Sequence, residues 1–213
     1  AATFSTVDEV ETALRDTVIV AKSAGEGLGV SLLHWIIGDS QRSIVVEMMA
    51  DGLHVYDDPV DTLANQPTFP WHMENLRTYI TATSDFPQTA TWRGAELKPY
   101  GAGAGMRGIP GDCYSPSRFV KAAYLNANYP QKDSEAENVI RMFRSLEGVV
   151  MIEGASKMGD GEFEKTIYTG CFSARTGNYY YSTYEDPSIR YVSLMDAEGA
   201  SSDRLVVPEP RRS

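Results

Sequence analysis

The chain has 213 residues, enough for one domain with a sizeable core, and its 42% hydrophobic and 23% charged residues are ordinary for a globular protein. The formal net charge of −10 argues against a nucleic-acid partner and against membrane-surface binding, because both need a basic face. No apolar run is long enough to span a membrane, and the two cysteines do not form a disulfide framework, which favours reduced thiols and a cytoplasmic location.

The first part of the chain predicts a helix followed by an antiparallel meander. Thr6 and Glu9 form a capping box, and apolar residues at helical spacing predict a helix over residues 7–20. Strands are predicted over three ranges, 31–37, 43–49 and 53–57, with a hairpin turn at the Asp-Gly pair between the last two. Residues 62–65 are predicted to form a short fourth strand.

Helices dominate the middle of the chain, and strands return in its last third. The predicted helices cover 71–80, 116–127 and 134–147, the last with Ser134 as its cap. Residues 81–99 show no clear period and are interpreted as a long excursion. The later strands, rich in Thr and Tyr, are predicted over 163–173, 178–185 and 189–194. No linker divides the chain, so residues 1–196 are predicted as part of a single α+β domain, with a polar tail at 197–213.

The most informative stretch is a glycine-rich loop within residues 101–125 that leads directly into a helix. Ser115 is predicted to N-cap this helix and Pro116 to occupy its first position. Arg118 then lies in the first turn, where the helix dipole disfavours a cation, so a group outside the helix is expected to hold it. A glycine loop that delivers one arginine to a fixed place indicates part of a functional site.

Other motifs carry weaker functional information. Gly103 to Gly108 matches the dinucleotide fingerprint, but no strand is predicted before it and no helix within it, so a shaped loop is the better interpretation. The three histidines lack metal-ligand spacing, and His34, inside an apolar strand, is interpreted as a satisfied core residue. Cys113 and Cys171 are interpreted as structural thiols, because no activating partner lies beside either of them in the sequence.

Asn65 is the remaining candidate. It ends the predicted fourth strand and is followed by Gln66-Pro67, so its amide can direct a donor out of the sheet. On these residues alone, an Asx turn is the slightly favoured interpretation. Asn65 and Arg118 acquire a joint interpretation only when longer stretches of the sequence are considered together.

Four long stretches occur in the order typical of the choloylglycine hydrolase family, which the chain resembles from Val7 to about Leu194. They are SLLHWIIGDSQRSIVVE, ANQPTFPWHMENLRTY, GIPGDCYSPSRFVKAAY and SKMGDGEFEKTIYT. The likeness is greatest to bile salt hydrolases of gut bacteria, with penicillin V acylases as more distant relatives. The resemblance implies an α+β fold of the N-terminal-nucleophile (Ntn) hydrolase type, a four-layer αββα sandwich that is expected to be incomplete at its N-terminus here.

The resemblance also implies a chemistry and roles for two residues. The family hydrolyses amides with a cysteine at the mature N-terminus, whose own α-amino group manages the proton. Asn65 matches the asparagine that donates its side-chain amide to the oxyanion, and Arg118 matches the arginine close to the nucleophile. Position 1 is Ala1, and neither cysteine of this chain matches the nucleophile. The chain is therefore expected to be a C-terminal portion of the enzyme that is inactive alone.

The expected substrates are glycine- or taurine-conjugated bile salts, and no metal or organic cofactor is implied. An acylase acting on penicillin V or N-acyl homoserine lactones is the alternative within the family. A non-catalytic binding protein that has kept the fold is the alternative from another class. The family also suggests a homo-oligomer, specifically a homotetramer, with residues 81–99 as a candidate subunit contact.

Overall fold

The computed structural model describes residues 3–23, 25, 29–31 and 33–194 of the chain. The chain divides into two units, residues 1–128 and residues 129–213. The predicted polar tail at 197–213, and residue 32 of the first predicted strand, lie outside the described residues. In the described part of the chain, no helix is both long and apolar enough to cross a bilayer.

Helices and antiparallel strands make up both units. In the first unit the helices are α1 (Val7–Leu14), α2 (Phe69–Leu76) and α3 (Ser115–Ala127), with 3-10 turns at Arg77–Tyr79 and Ala104–Met106. Its strands are β1 (His34–Gly38), β2 (Ser43–Met49), β3 (Gly52–Asp57), β4 (Ala90–Trp92) and β5 (Ala95–Leu97). The second unit contains α4 (Glu135–Glu147), β6 (Tyr168–Ser173), β7 (Asn178–Thr183) and β8 (Arg190–Ser193).

Helix α1 begins where the sequence predicts and ends earlier. The Thr6 side chain accepts from the Glu9 backbone N–H and the Glu9 carboxylate reaches back to the Thr6 N–H, so the predicted capping box is confirmed. The helix ends at Leu14 rather than at residue 20. A run of β-branched residues from Thr17 to Val20 follows, which disfavours helix, and Val18 is 81% exposed. These side chains therefore gain too little burial to extend the helix.

Strands β1, β2 and β3 form the predicted antiparallel meander, with β2 in the centre. Val45 of β2 faces one side of the sheet and packs in a cluster with Phe69 of α2 and Phe119 of α3. Its neighbours Ile44 and Val46 face the other side and pack against Val7 of α1. Because side chains alternate along a strand, helices on both sides of the sheet leave β2 buried on both of its faces.

The predicted fourth strand at residues 62–65 is wrong. The buried Asp58 carboxylate accepts hydrogen bonds from the backbone N–H groups of Val60 and Thr62, which folds residues 58–62 into a turn. Asp61, directly before the predicted strand, has a positive φ of 47°, outside the range of extended backbone, and residues 62–64 form no strand. Asn65 consequently lies in an exposed bend between β3 and α2.

The interpretation of residues 81–99 as an irregular excursion is wrong in part. Strands β4 and β5 pair in this segment as a short hairpin whose residues are all exposed. Arg93 and Gly94, at its tip, have positive φ angles of 46° and 88°, as a type I′ turn requires. An arginine is an uncommon residue at that position, so the hairpin lacks the usual Asn-Gly or Asp-Gly signature.

The glycine-rich loop is a shaped loop, as predicted, and contains only a single 3-10 turn at Ala104–Met106. Gly103 and Gly108 flank this turn with positive φ angles of 89° and 99°. Gly105 is required for a different reason, because a Cβ at this position would overlap the backbone oxygen of Thr83. The Thr83 N–H donates to the Gly105 carbonyl, so the two backbones lie in direct contact.

In its described residues, 129–194, the second unit contains a helix and a three-stranded meander. Ser134 caps α4 as predicted, with its Oγ accepting from the Glu137 N–H. The meander order is β6-β7-β8, but β6 begins at Tyr168 rather than at residue 163. The preceding residues pair elsewhere, since the Thr166 N–H donates to the Met151 carbonyl and Phe163 bridges to Lys157.

Candidate active site

Asn65 and Arg118, the two residues singled out in the sequence, are joined by a hydrogen bond although 53 residues separate them. Arg118 Nη2 donates to Asn65 Oδ1 at 2.7 Å. Arg118 is half-buried in α3, whereas Asn65 is exposed in the bend before α2. The group outside the helix that holds the arginine is therefore the side chain of Asn65.

The start of α3 brings a second group to Asn65. The N-cap is Tyr114 and not Ser115, which is the first residue of the helix, and Pro116 follows it as the second residue. The Asp112 carboxylate accepts from the Tyr114 N–H and the Ser117 hydroxyl, and these hydrogen bonds lower its pKa. The prediction that Ser115 caps the helix is therefore wrong. Its buried hydroxyl instead donates to the backbone carbonyl of Asn65 at 2.8 Å.

His72 supplies a third contact that the sequence analysis did not identify. Its side chain is 0% exposed, and Nε2 lies 2.8 Å from the same carbonyl of Asn65. The imidazole stacks on the Phe119 ring with centroids 4.4 Å apart. Burial lowers the pKa of His72 below its ordinary value of 6.5, so the ring is neutral at pH 7 and its Nε2–H donates. The feature of the sequence that could have identified His72 is a histidine on the otherwise apolar face of a helix.

These contacts fix which atom of the Asn65 amide remains available. Arginine carries only donors, so the amide atom that faces Arg118 is the oxygen. The backbone carbonyl of Asn65 is occupied by Ser115 and His72. Within the described residues Nδ2 has no hydrogen-bond partner, so the amide presents an N–H donor to the surface.

Glu47, on the central strand β2, is a second group that the sequence analysis missed. It is 1% exposed, and Oε1 accepts from His34 Nδ1 at 2.7 Å and from the Phe69 N–H at 2.9 Å. His34 is therefore satisfied, as predicted, but by a carboxylate. Oε2 of Glu47 has no protein partner in the described part of the chain. The feature of the sequence that could have identified Glu47 is a single acidic residue inside the apolar strand SIVVEMM.

A largely apolar cavity of about 690 Å³ lies beside this arrangement. Gln66, Pro67 and Thr68, which directly follow Asn65, contribute to its wall, and so does Tyr114 at the start of α3. The apolar lining comes from Ile19, Val20, Val30, Leu33, Trp35, Met48, Met49 and Trp71. Such a cavity is of the size and character that takes a large apolar ligand.

The two cysteines differ in their surroundings. Cys171 lies in β6 of the second unit, where burial raises the pKa of its thiol and disfavours the thiolate. Cys113 lies half-buried in the loop before α3. In the residues that the structure describes, no group of three or more His, Cys, Asp or Glu side chains is arranged to hold a metal ion.

The sequence and the fold both match a known family. The sequence model for linear amide C–N hydrolases of the choloylglycine hydrolase family matches residues 1–206. The α+β fold of the Ntn-hydrolase class, expected from the resemblance, is confirmed by solved structures of similar fold. The chain belongs to the choloylglycine hydrolase family.

Two relatives and two solved structures illustrate the match. The bile salt hydrolase/transferase of Bifidobacterium longum is 52% identical over 204 residues, which cover 96% of this chain and 64% of that protein. The conjugated bile acid hydrolase of Lactobacillus gasseri is 38% identical over 206 residues, 95% of this chain and 64% of that protein.

A crystal structure of conjugated bile acid hydrolase from Clostridium perfringens matches with a TM-score of 0.84 at 34% identity, over 92% of this chain and 60% of that one. Penicillin V acylase from Agrobacterium tumefaciens matches with a TM-score of 0.65 at 16% identity, over 90% of this chain and 52% of that one, a likeness of fold alone. The chain thus spans less than two thirds of the length of these relatives.

Proposed function

We propose that the protein hydrolyses the amide bond of glycine- or taurine-conjugated bile salts, with a cysteine nucleophile that lies outside this chain. The observation that carries the proposal is the Arg118–Asn65 hydrogen bond, which leaves Nδ2 of Asn65 as a fixed donor beside an apolar cavity. The printed names of the relatives, bile salt hydrolase/transferase and conjugated bile acid hydrolase, support the substrate class.

In this proposal the residues of the chain stabilise charge that develops on the substrate. Attack by the thiolate on the amide carbonyl carbon turns the carbonyl oxygen into an oxyanion, which accepts a hydrogen bond from Asn65 Nδ2. Arg118 keeps the amide in the donor orientation and adds positive charge nearby. The α-amino group of the cysteine, which took the thiol proton, gives it to the leaving amine. Water then attacks the thioester, which releases the bile acid and restores the thiol. No metal or organic cofactor takes part.

The cavity favours bile salts over penicillin V. Its volume of about 690 Å³ and its many aliphatic and aromatic walls suit a rigid, extended hydrocarbon body. The acyl group of penicillin V is much smaller and buries less apolar surface there. We therefore expect higher kcat/KM for conjugated bile salts than for penicillin V.

The decisive experiment is side-by-side turnover of glycocholate, taurocholate and penicillin V by the full-length protein, with products identified by mass spectrometry. Release of glycine or taurine supports the proposal, and mass detection distinguishes hydrolysis from acyl transfer to an amine. Faster turnover of penicillin V assigns the protein to the acylases instead. No turnover of any of the three, with retained bile-salt binding, identifies a non-catalytic binding protein.

Asn65→Ala tests the assigned oxyanion donor. Loss of one such donor is expected to lower kcat on the order of 10²–10³-fold. Asn75→Ala, on helix α2, is the matched control and should keep wild-type kcat. An Asn65→Ala enzyme with wild-type kcat contradicts the role given to this residue.

A further inference from the structure

Asn65 is held by a chain of buried polar groups that leads back to the central strand β2. The residue lies in an exposed bend that has no helical or strand hydrogen bonds of its own. Its carbonyl nevertheless accepts from His72, whose side chain is 0% exposed. The orientation of this bend is therefore set from inside the protein, through α2.

Glu47 contacts the first residue of α2. The N-cap residue Thr68 makes no side-chain capping hydrogen bond. Instead Glu47 Oε1, from β2, accepts the N–H of Phe69, the first residue of the helix. A carboxylate at a helix N-terminus satisfies a free donor and is favoured by the helix dipole. His34 on the neighbouring strand donates to the same oxygen and holds the carboxylate in place.

His72 lies three residues after Phe69, one helical turn from this anchor. Residues three or four apart share one face of a helix, so a shift of the helix start displaces His72 Nε2. Hydrogen bonds then run from His34 and Phe69 to Glu47, and from His72 to the Asn65 carbonyl. The helical turn between Phe69 and His72 is the rigid connection between them.

Packing alone does not require this arrangement. Phe69 already packs against Val45 and Phe119, which attaches α2 to the sheet. A buried carboxylate is costly, and apolar replacements of buried charged groups are often neutral or stabilising. Stability alone therefore does not explain why these buried polar side chains are present.

We propose that Glu47 and His72 are positioning residues for the Asn65 amide: Glu47 fixes the start of α2, and His72 fixes the Asn65 carbonyl, so that Nδ2 points at the reacting oxygen. This inference rests on the function proposed above, in which Asn65 donates to the oxyanion. It adds two residues that reach the reacting atoms through Asn65, and Glu47, together with His34, also forms part of the cavity wall.

Double-mutant cycles in the full-length protein test the inference. Glu47→Met and His72→Phe remove the polar contacts while keeping bulk, and His72→Phe can retain the stacking on Phe119. Each is expected to lower kcat at least about tenfold, because small misplacement of a catalytic group is costly. KM should change little for His72→Phe, which lies outside the cavity lining, whereas Glu47→Met also alters the cavity wall and is judged by kcat alone. In an Asn65→Ala background the same changes should lower kcat no further, because the group they position is gone.

Conservative and packing variants provide the controls. Glu47→Gln keeps an acceptor for the Phe69 N–H and His72→Gln keeps a donor, so both should recover most of the lost kcat. Val45→Ala, on the same face of β2, removes packing only. It is expected to lower stability, and any effect on kcat should multiply with that of Asn65→Ala.

The outcomes separate this inference from the proposed function. If Asn65→Ala retains wild-type kcat, the proposed function fails at its central residue. If Asn65→Ala loses kcat but Glu47→Met and His72→Phe do not, or if their losses multiply with that of Asn65→Ala, the positioning role is overturned. Should Glu47→Met not fold, the His72→Phe and His72→Gln pair decides the question by the same criteria.

Discussion

Arg118 determines which atom of the Asn65 amide is available to a substrate, because it donates a hydrogen bond to Oδ1 and leaves Nδ2 free to donate. Arg118→Lys is expected to lower kcat by about tenfold or more, since a mobile ammonium cannot reproduce the planar guanidinium fork and one charge-assisted hydrogen bond is lost or bent. Steady-state kinetics with a conjugated bile salt measure the effect. Arg107→Lys, in the exposed loop before α3, is the control. Unchanged kcat in Arg118→Lys contradicts the proposed role.

His72 links the site to the pH dependence of stability. Burial lowers its pKa in the folded state below the ordinary value of 6.5, whereas nearby Glu47 raises it and His34 lowers it further. As pH falls below about 6.5 the unfolded chain binds a proton that the folded chain does not, so the free energy of unfolding should decrease until the lowered pKa is passed.

Urea unfolding of the full-length protein between pH 4 and pH 8 measures this dependence. The His72→Gln variant should lose the part of the slope that lies just below pH 6.5, because glutamine does not titrate. Identical slopes in the two proteins would show that His72 is not held neutral.

At the scale of single residues, the sequence identified the hydrogen-bonded pair Asn65 and Arg118 and missed His72 and Glu47. Arg118 stood out because of the glycine-rich loop before it, whereas Asn65 was assigned a role only through the family resemblance, since its own neighbours slightly favoured an Asx turn. Glu47 and His72 act through contacts with Phe69 and Asn65, which depend on where α2 lies on the sheet. That placement is a tertiary property, and no local spacing encodes it.

Among the structural elements, the glycine-rich loop depends on one close backbone contact. Gly105→Ala is expected to lower the free energy of unfolding by about 1–3 kcal/mol, because its Cβ would overlap the Thr83 backbone oxygen. Gly111→Ala is the matched control from the same loop, where a Cβ has open space and φ is not positive. Equal stability of the two variants would show that the loop relaxes freely around Gly105.

Element boundaries were predicted well where a local signal sets them and poorly where distant pairing does. Thr6 and Ser134 mark helix starts through their own side chains, and both starts were correct to within a residue. The start of β6 was placed too early because the alternating pattern continues through residues 163–167. Those residues bond back to the segment near Met151, a partner that the pattern does not reveal.

For the whole molecule, the proposed function predicts that the 213-residue chain is inactive by itself. Cys171 has a raised thiol pKa and neither cysteine matches the family nucleophile, so no thiolate is expected to attack a substrate at Asn65. Release of glycine from glycocholate by the isolated chain is the measurement, with the full-length protein at equal concentration as the positive control. Turnover above that of the same chain carrying Asn65→Ala contradicts the prediction.

Both three-stranded sheets join their strands in the order in which they occur along the chain, β1-β2-β3 and β6-β7-β8. Pairings between neighbours in sequence close short loops and form quickly, whereas contacts of high sequence separation form slowly. The strands of the first meander can therefore pair before α3, which lies much later in the chain, packs against them. Asn65 and Arg118, 53 residues apart, meet only when α3 docks, so this polar pair is assembled late in a fold whose sheets form early.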